Sequence, residues 1–354
     1  MEVAMGKSSK ALIIIIIVTM TLSILIGNNS IIGTINASVI TREPVKVAVV
    51  VFDIDNLYVS EIVNSLKETQ KENEGKVEFT FFSCNDDQVT QNQIIDTILK
   101  NKEFDLLLVD LVNINKAQEV INKIKENNIP VILFHREPYK KNSIQSYEKS
   151  IFIGSYPEQA GVLQGEILVD EWNKNKSNID KNEDDIMQYI MLKGRAESLD
   201  TINRTKYSVS TIKDSGIKTE ELASQFANWD KEQAKNITES LFLRYGDKIE
   251  VIIANNDAMA IGAIEALQAR GYNNGDKEKT IAVVGVDAVP EAIDLIKKGF
   301  MTGTVIQDAR GMADALYACG MNLVEHKNPT EGTKYKFDET GVSVRIPYQR
   351  YIPS

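Results

Sequence analysis

From residue 45 onward, short apolar runs alternate with stretches in which apolar residues return at every third or fourth position. A strand buried on both faces reads as a continuous apolar run, and a helix packed on a sheet carries one apolar stripe, so this pattern predicts strands and helices in strict alternation. The clearest unit is VIIANNDAMAIGAIEALQARG, residues 251–271. Its β-branched start gives way at Asn255-Asn256-Asp257 to helical spacing, and Gly271 closes the segment. The same reading predicts strands at 46–52, 79–83, 104–109, 131–134, 151–154, 188–192, 222–227, 280–286, 302–306 and 342–347. Helices are predicted at 91–99, 116–127, 157–172, 204–212, 231–243 and 309–324, with a short one from Pro290. The fold class expected is α/β, with parallel sheets covered by helices. One sheet holding every predicted strand would be unusually large, so two lobes are expected, joined by several short crossings that favour hinge closure.

The first residues do not follow this rhythm. Lys7 and Lys10 precede ALIIIIIVTMTLSILIG at 11–27, an apolar run suited to an export signal and short for a membrane span. Ala37 and Ser38 offer a cleavage site without a clean small-x-small pattern, and an uncleaved anchor is the alternative. The mature part is expected outside the cytoplasm, in the periplasm or on the outer face of the cytoplasmic membrane. A formal net charge of -10 over 354 residues supplies no cationic field for nucleic acid or an anionic membrane surface. Cys84 and Cys319 read as buried free thiols, with a bridge left open by sequence. His135 and His326 share no metal-ligand spacing.

In parallel α/β sheets, ligands sit beyond the carboxyl ends of the strands. Polar turns fall there at 53–58, 110–113, 198–204, 255–257, Asp287 and Gln307, with Trp229 on a further turn. Carboxylates accept from paired hydroxyls while Asn and Arg donate to the same oxygens, so these side chains suit a small polyhydroxylated ring. Tyr58 and Trp229 offer flat faces for its C–H surface. The plainer reading makes Asn256 or Asp257 a helix cap, Trp229 a core residue, and Asp200 with Arg204 a helix-face ion pair. No nucleophile–base pair, phosphate loop or catalytic metal constellation emerges, and no enzyme activity is expected. A second feature is DKNEDDIMQ at 180–188, with oxygen side chains at loop positions 1, 3, 5 and 9. Asp185 stands where a calcium loop has glycine, and the closing glutamate is missing locally, so alone it reads as a solvated acidic loop.

Over about residues 46–347 the sequence resembles the galactose/glucose-binding periplasmic proteins, the capture subunits of ABC sugar importers. The runs carrying the resemblance are IEVIIANNDAMAIGAIEAL from Ile249, VVGVDAVPEA from Val283, MLKG from Met191, GIKTEEL from Gly216 and ANWDKEQAK from Ala227. The resemblance implies a type I periplasmic-binding-protein fold, with 44–135 and 307–340 in the first lobe and 136–306 and 341–354 in the second, after an export segment at 1–43. It implies stacking by Tyr58, where the family has phenylalanine, and Trp229. It implies sugar contacts from Asp200, Arg204, Asn256 and Asp287 with identity kept, and from Asn56, Asp110, Ser198 and Gln307 with identity changed. A one-residue shift would replace Asn56 by Asp55. It also implies a calcium site formed by Asp180, Asn182, Asp184, the carbonyl of Ile186, Gln188 and the distant Glu250. The expected partners are a monosaccharide and an ABC permease, with the chain monomeric. A membrane-anchored sensor serving a chemoreceptor or histidine kinase is the rival output.

Overall fold

The computed structural model describes residues 43–353. The export or anchor segment expected at 11–27 lies outside the described residues. In chain order the strands are β1 (Val45–Val51), β2 (Val77–Ser83), β3 (Leu106–Val109), β4 (Val131–Phe134), β5 (Ser150–Gly154), β6 (Ile186–Lys193), β7 (Lys218–Phe226), β8 (Val251–Ala254), β9 (Ala282–Asp287), β10 (Gly303–Ile306), β11 (Ser343–Arg345) and β12 (Gln349–Tyr351). The helices are α1 (Leu57–Glu72), α2 (Gln88–Asn101), α3 (Ala117–Glu126), α4 (Asn142–Gln145), α5 (Pro157–Ile179), α6 (Leu199–Asp214), α7 (Lys231–Tyr245), α8 (Asp257–Gln268), α9 (Pro290–Lys297) and α10 (Ala309–Val324).

Two six-stranded sheets result, ordered β11-β5-β4-β3-β1-β2 and β12-β10-β9-β8-β6-β7. Every pairing is parallel except that of β12 with β10. Each sheet has its own apolar core. Val47 to Val51, Leu106 to Val109 and Val131 to Phe134 pack with Ile62, Leu66 and Leu316 in the first lobe. In the second, Ile252 and Val283 face one side of the sheet while Val251, Ile253 and Val284 face the other. A buried Ile or Leu contributes about 1.5–3 kcal/mol, so these continuous runs fix which segments become central strands. Helix α8 is buried on all sides, and its Gly262 lets α7 approach: a Cβ there would stand 2.0 Å from the Lys231 carbonyl oxygen.

The topology moves the lobe boundaries expected from sequence. β5 pairs with β4 and β11, and Ile151, Phe152 and Ile153 lie in the first lobe's core, so the first crossing falls after Gly154 rather than before Arg136. The run at 342–347 is not one strand belonging to the second lobe. Ser343–Arg345 pairs in the first sheet; Pro347, which has no N–H to offer a ladder, follows; and Gln349–Tyr351 pairs in the second. The remaining crossing joins β10 of the second sheet to α10, which packs in the first lobe. Helix α6 begins five residues earlier than the apolar spacing indicates, at Leu199 rather than Arg204: Ile202 in its first turn is exposed and Asp200 faces the cleft, so that turn carries no buried apolar stripe. Cys84 and Cys319 are free and buried, as expected.

Candidate binding cleft between the lobes

The carboxyl ends of both sheets face each other across a narrow cleft. Phe52, Asn56, Tyr58, His135 and Arg136 line it from the first lobe. Ser198, Asp200, Arg204, Trp229, Asn256, Asp287 and Gln307 line it from the second. The lobes also touch directly: Leu57 packs against the second lobe's core, and Asp86 forms an ion pair with Arg195 across the mouth.

Arg204 is the centre of the second-lobe wall. It projects from the second turn of α6, and its side chain is 4% exposed. Nη1 donates to the Asn255 carbonyl at 2.9 Å; Nη2 donates to Asp200 Oδ1 at 3.0 Å, Gln307 Oε1 at 3.1 Å and the Tyr348 hydroxyl at 3.0 Å. Asp287 Oδ1 stands 4.0 Å from Nη1. Burial opposes the guanidinium charge, yet Tyr348, Asp200 and Asp287 together hold its pKa above the ordinary value. Burial pushes the Asp287 carboxyl well up, with Arg204 opposing that rise. The expected Asp200–Arg204 pair is therefore real, and one partner is buried in the cleft rather than solvated on a helix face. Arg204 Nε is buried with no protein partner.

The unit read first in the sequence builds this wall. Asn255 accepts from Gly194 N–H and donates to the Thr205 hydroxyl, which holds the base of the site in register. Asn256 caps α8 through Oδ1, accepting from Met259 N–H at 3.1 Å, and also lines the cleft, so the cap and the site are the same residue. Asp257 is neither cap nor contact. It is fully buried, accepts from the Thr304 hydroxyl at 2.6 Å and Val289 N–H at 3.0 Å, and thereby pins the turn at Asp287 and Ala288, whose φ angles are 125° and 61°. Burial lifts its carboxyl to about 6.

Trp229, at φ 69°, closes one end of the cleft, with the Arg204 guanidinium 5.8 Å from its ring centre. Its ring occupies the space a side chain at residue 194 would need: a Cβ on Gly194 would stand 2.1 Å from Trp229 Cζ2. We expect Gly194→Ala to push this ring out of place and weaken ligand affinity about tenfold, or about 1.4 kcal/mol. Titration calorimetry checks this, and an unchanged affinity would show that the ring's seat does not matter.

On the first-lobe wall, Asn56 rather than Asp55 lines the cleft; its Oδ1 accepts from Tyr58 and Val59 N–H groups as the cap of α1. Tyr58 is 3% exposed, and its hydroxyl has no partner. Burial, then the nearby Tyr348 phenol and Asp287 carboxyl, raises its pKa well above the ordinary phenol value. Asp110 stands apart from the other residues expected at the site, and its Oδ1 is buried without a partner. It is fully buried and absent from the cleft wall, with Oδ2 2.9 Å from His135 Nδ1. His135 stands in front of it, because β4 ends there and turns into the left-handed region at φ 59°. Phe52, His135 and Arg136 are wall residues the sequence reading missed. The available signal was their place just past the apolar runs of β1 and β4, where the other polar turns were found. Arg136 also ties the walls' supports together, donating to the Leu111 and Val112 carbonyls at 3.0 and 2.8 Å.

The loop at 180–188 is wound on its own oxygens. Asp180 accepts from Asp184 and Asp185 N–H groups, Asn182 from Asp184 N–H, and Asp184 from Ile186 N–H. Glu250, 1% exposed, accepts from Lys181 N–H at 2.9 Å and Gln188 N–H at 3.0 Å, so the distant residue does reach the loop. Burial lifts its carboxyl to about 7. Gln188 Oε1 is buried without a partner. Asp185 takes the left-handed backbone at φ 61°, and its carboxylate pairs with Lys176. Among the described residues, no three His, Cys, Asp or Glu side chains are grouped as a metal site by themselves.

Two parallel-sheet lobes, linked by short crossings and holding a polar cleft with aromatic walls, define a binding protein of the periplasmic class. The chain belongs to that family: the periplasmic binding protein domain matches residues 47–328. It is 35% identical over 306 residues to the D-galactose/methyl-galactoside binding periplasmic protein MglB of Haemophilus influenzae, covering 86% of this chain and 88% of that protein. It is 26% identical over 201 residues to the ribose import binding protein RbsB of the same organism, covering 56% and 59%. In fold it matches an ABC transporter solute binding protein from Bacillus halodurans with bound myo-inositol, with TM-score 0.70 at 23% identity over 88% of this chain and 95% of that one. A periplasmic solute binding protein from Actinobacillus succinogenes with bound D-allose gives TM-score 0.72 at 20% identity over 87% and 97%. The chain is thus an exported binding protein and not an enzyme. Among the described residues no helix is long and apolar enough to cross a membrane.

Proposed function

We propose that this protein captures an aldohexose of the galactose or glucose type and delivers it to an ABC transporter permease. The observation that carries this reading is the pairing, in one cleft, of aromatic faces with buried polar atoms that the protein leaves without partners. The Tyr58 hydroxyl and Arg204 Nε belong to cleft-lining residues, and neither finds a hydrogen bond. A buried unsatisfied group costs about 1–3 kcal/mol, which a ring carrying hydroxyls on every edge offsets by accepting from one and donating to the other. Tyr58 and Trp229 take its faces, and Asn56, Asp200, Asn256, Asp287, Ser198 and Gln307 its rim. Kinship to the galactoside-binding relative supports the choice of sugar. Titration of the purified protein with D-galactose and D-glucose tests it: saturable heat and a melting temperature that rises with sugar are expected, and silence with both sugars overturns the reading.

We also propose Ca²⁺ as the resident cation of the 180–188 loop. Asp180, Asn182, Asp184, Gln188 and Glu250 would hold it with side-chain oxygens, and Ile186 with its carbonyl. The unpartnered Gln188 Oε1 and the buried Glu250 carboxylate fit such an ion, whose hard oxygen-seeking character matches this donor set. The ion would fasten the start of β6 to the residue preceding β8. Chelator is expected to lower the melting temperature, with Ca²⁺ restoring it. A transition indifferent to both would leave the loop as the solvated turn it resembles by sequence.

A further inference from the structure

We propose that His135 is a specificity-determining contact of the cleft and that Asp110 acts through it as a positioning residue; this rests on the sugar-binding reading above. The two residues come from the ends of adjacent strands β3 and β4. Asp110 is fully buried behind the wall, and its Oδ2 accepts from His135 Nδ1 at 2.9 Å. A carboxylate can only accept, so Nδ1 carries the proton and the ring is held in one tautomer and one orientation. The opposite nitrogen, Nε2, has no hydrogen-bond partner among the described residues, while the imidazole lines the cleft beside Tyr58, 5.2 Å between ring centres, and Phe52, 6.1 Å.

The backbone supports the same assignment. His135 sits at φ 59°, a region that costs a non-glycine residue about 1–2 kcal/mol, and such strain persists where the surroundings over-determine it. Here His135 N–H donates to the Ile153 carbonyl, and Arg136 anchors the next residue on the β3 turn. Strand ends, anchor and carboxylate thus converge to present one nitrogen to the cleft. In its neutral form that nitrogen accepts from a ligand hydroxyl, whereas an unshielded Asp110 would have met the ligand with a full negative charge.

The test uses D-galactose and its 2-, 3-, 4- and 6-deoxy analogues, titrated into wild type, His135→Gly, His135→Asn, Asp110→Asn, Asp110→Leu and the Asp110→Leu/His135→Gly double variant. Glycine removes the ring without backbone strain at this φ, and asparagine tolerates it, so at least one variant folds, as melting curves will show. His135→Gly is expected to bind D-galactose about tenfold more weakly and to lose its penalty for one deoxy position only, keeping the others. Asp110→Asn, whose amide oxygen still accepts from Nδ1, should stay within about threefold of wild type. Asp110→Leu should match His135→Gly and add nothing in its background. A further loss in that background would make Asp110 a direct contact and overturn the proposal. So would a His135→Gly or His135→Asn variant that penalises every deoxy sugar as wild type does. Failure of wild type itself to bind D-galactose would instead overturn the sugar reading beneath it.

Discussion

Arg204→Met is expected to weaken sugar binding by about a hundredfold and to destabilise the fold by about 3 kcal/mol. The first effect follows from losing charge-assisted hydrogen bonds at the cleft wall, worth about 1.5–3 kcal/mol each. The second follows from what methionine leaves behind. The Asn255 carbonyl, Gln307 Oε1 and the Tyr348 hydroxyl lose their shared donor, and the buried Asp287 carboxylate loses the positive charge that moderates its burial. Breaking a buried ion pair from one side costs about 3–5 kcal/mol for that reason. Arg204→Lys should fall between, since an ammonium cannot reproduce the fork that meets Asn255 through one nitrogen and Asp200, Gln307 and Tyr348 through the other. Calorimetry and thermal melting on the same preparations separate the two effects, and a methionine variant with wild-type affinity would remove Arg204 from the site.

Trp229→Ala is expected to lower affinity at least tenfold while leaving the melting temperature of the sugar-free protein nearly unchanged. The ring stands on a loop, packed over Gly194 and beside the Arg204 guanidinium, and only partly against the second lobe's core. Its removal therefore takes away a face of the ligand's cage more than a part of the fold. Trp229→Phe should recover most of the affinity. An alanine variant that melted far below wild type would mean that the ring is chiefly structural, as the plainer sequence reading had it.

Most of the fold was legible because the signals were local. The runs of β1, β3, β4 and β8 are so uniformly apolar that only burial on both faces explains them, and each is followed by helical spacing. The second-lobe site was legible for the same reason: Asn256, Asp287 and Gln307 stand just past such runs, and Asp200 and Arg204 share one helix turn. What the sequence hid depends on contacts between distant segments. Nothing local shows that His135 turns back in front of Asp110, because that follows from a left-handed residue meeting a neighbouring strand's end. Nothing local shows that Ile151–Ile153 completes the first sheet: Gly154 and Pro157 bracket the crossing at Ser155 and Tyr156, but a turn signal does not say which sheet the strand before it joins. Glu250 reaches the 180–188 loop only through the pairing of β8 with β6.

The crossing from β10 to α10 has a mechanical consequence. Gln307 is fastened to the second lobe by the Arg204 guanidinium, and its immediate neighbour Asp308 is fastened to the first by accepting from Gly311 N–H at 2.8 Å. A single peptide link therefore stands between two anchored residues, and no slack exists there for one lobe to slide over the other. Any hinging of the lobes therefore finds little free backbone at this crossing, and it also requires the Asp86–Arg195 ion pair across the mouth to part.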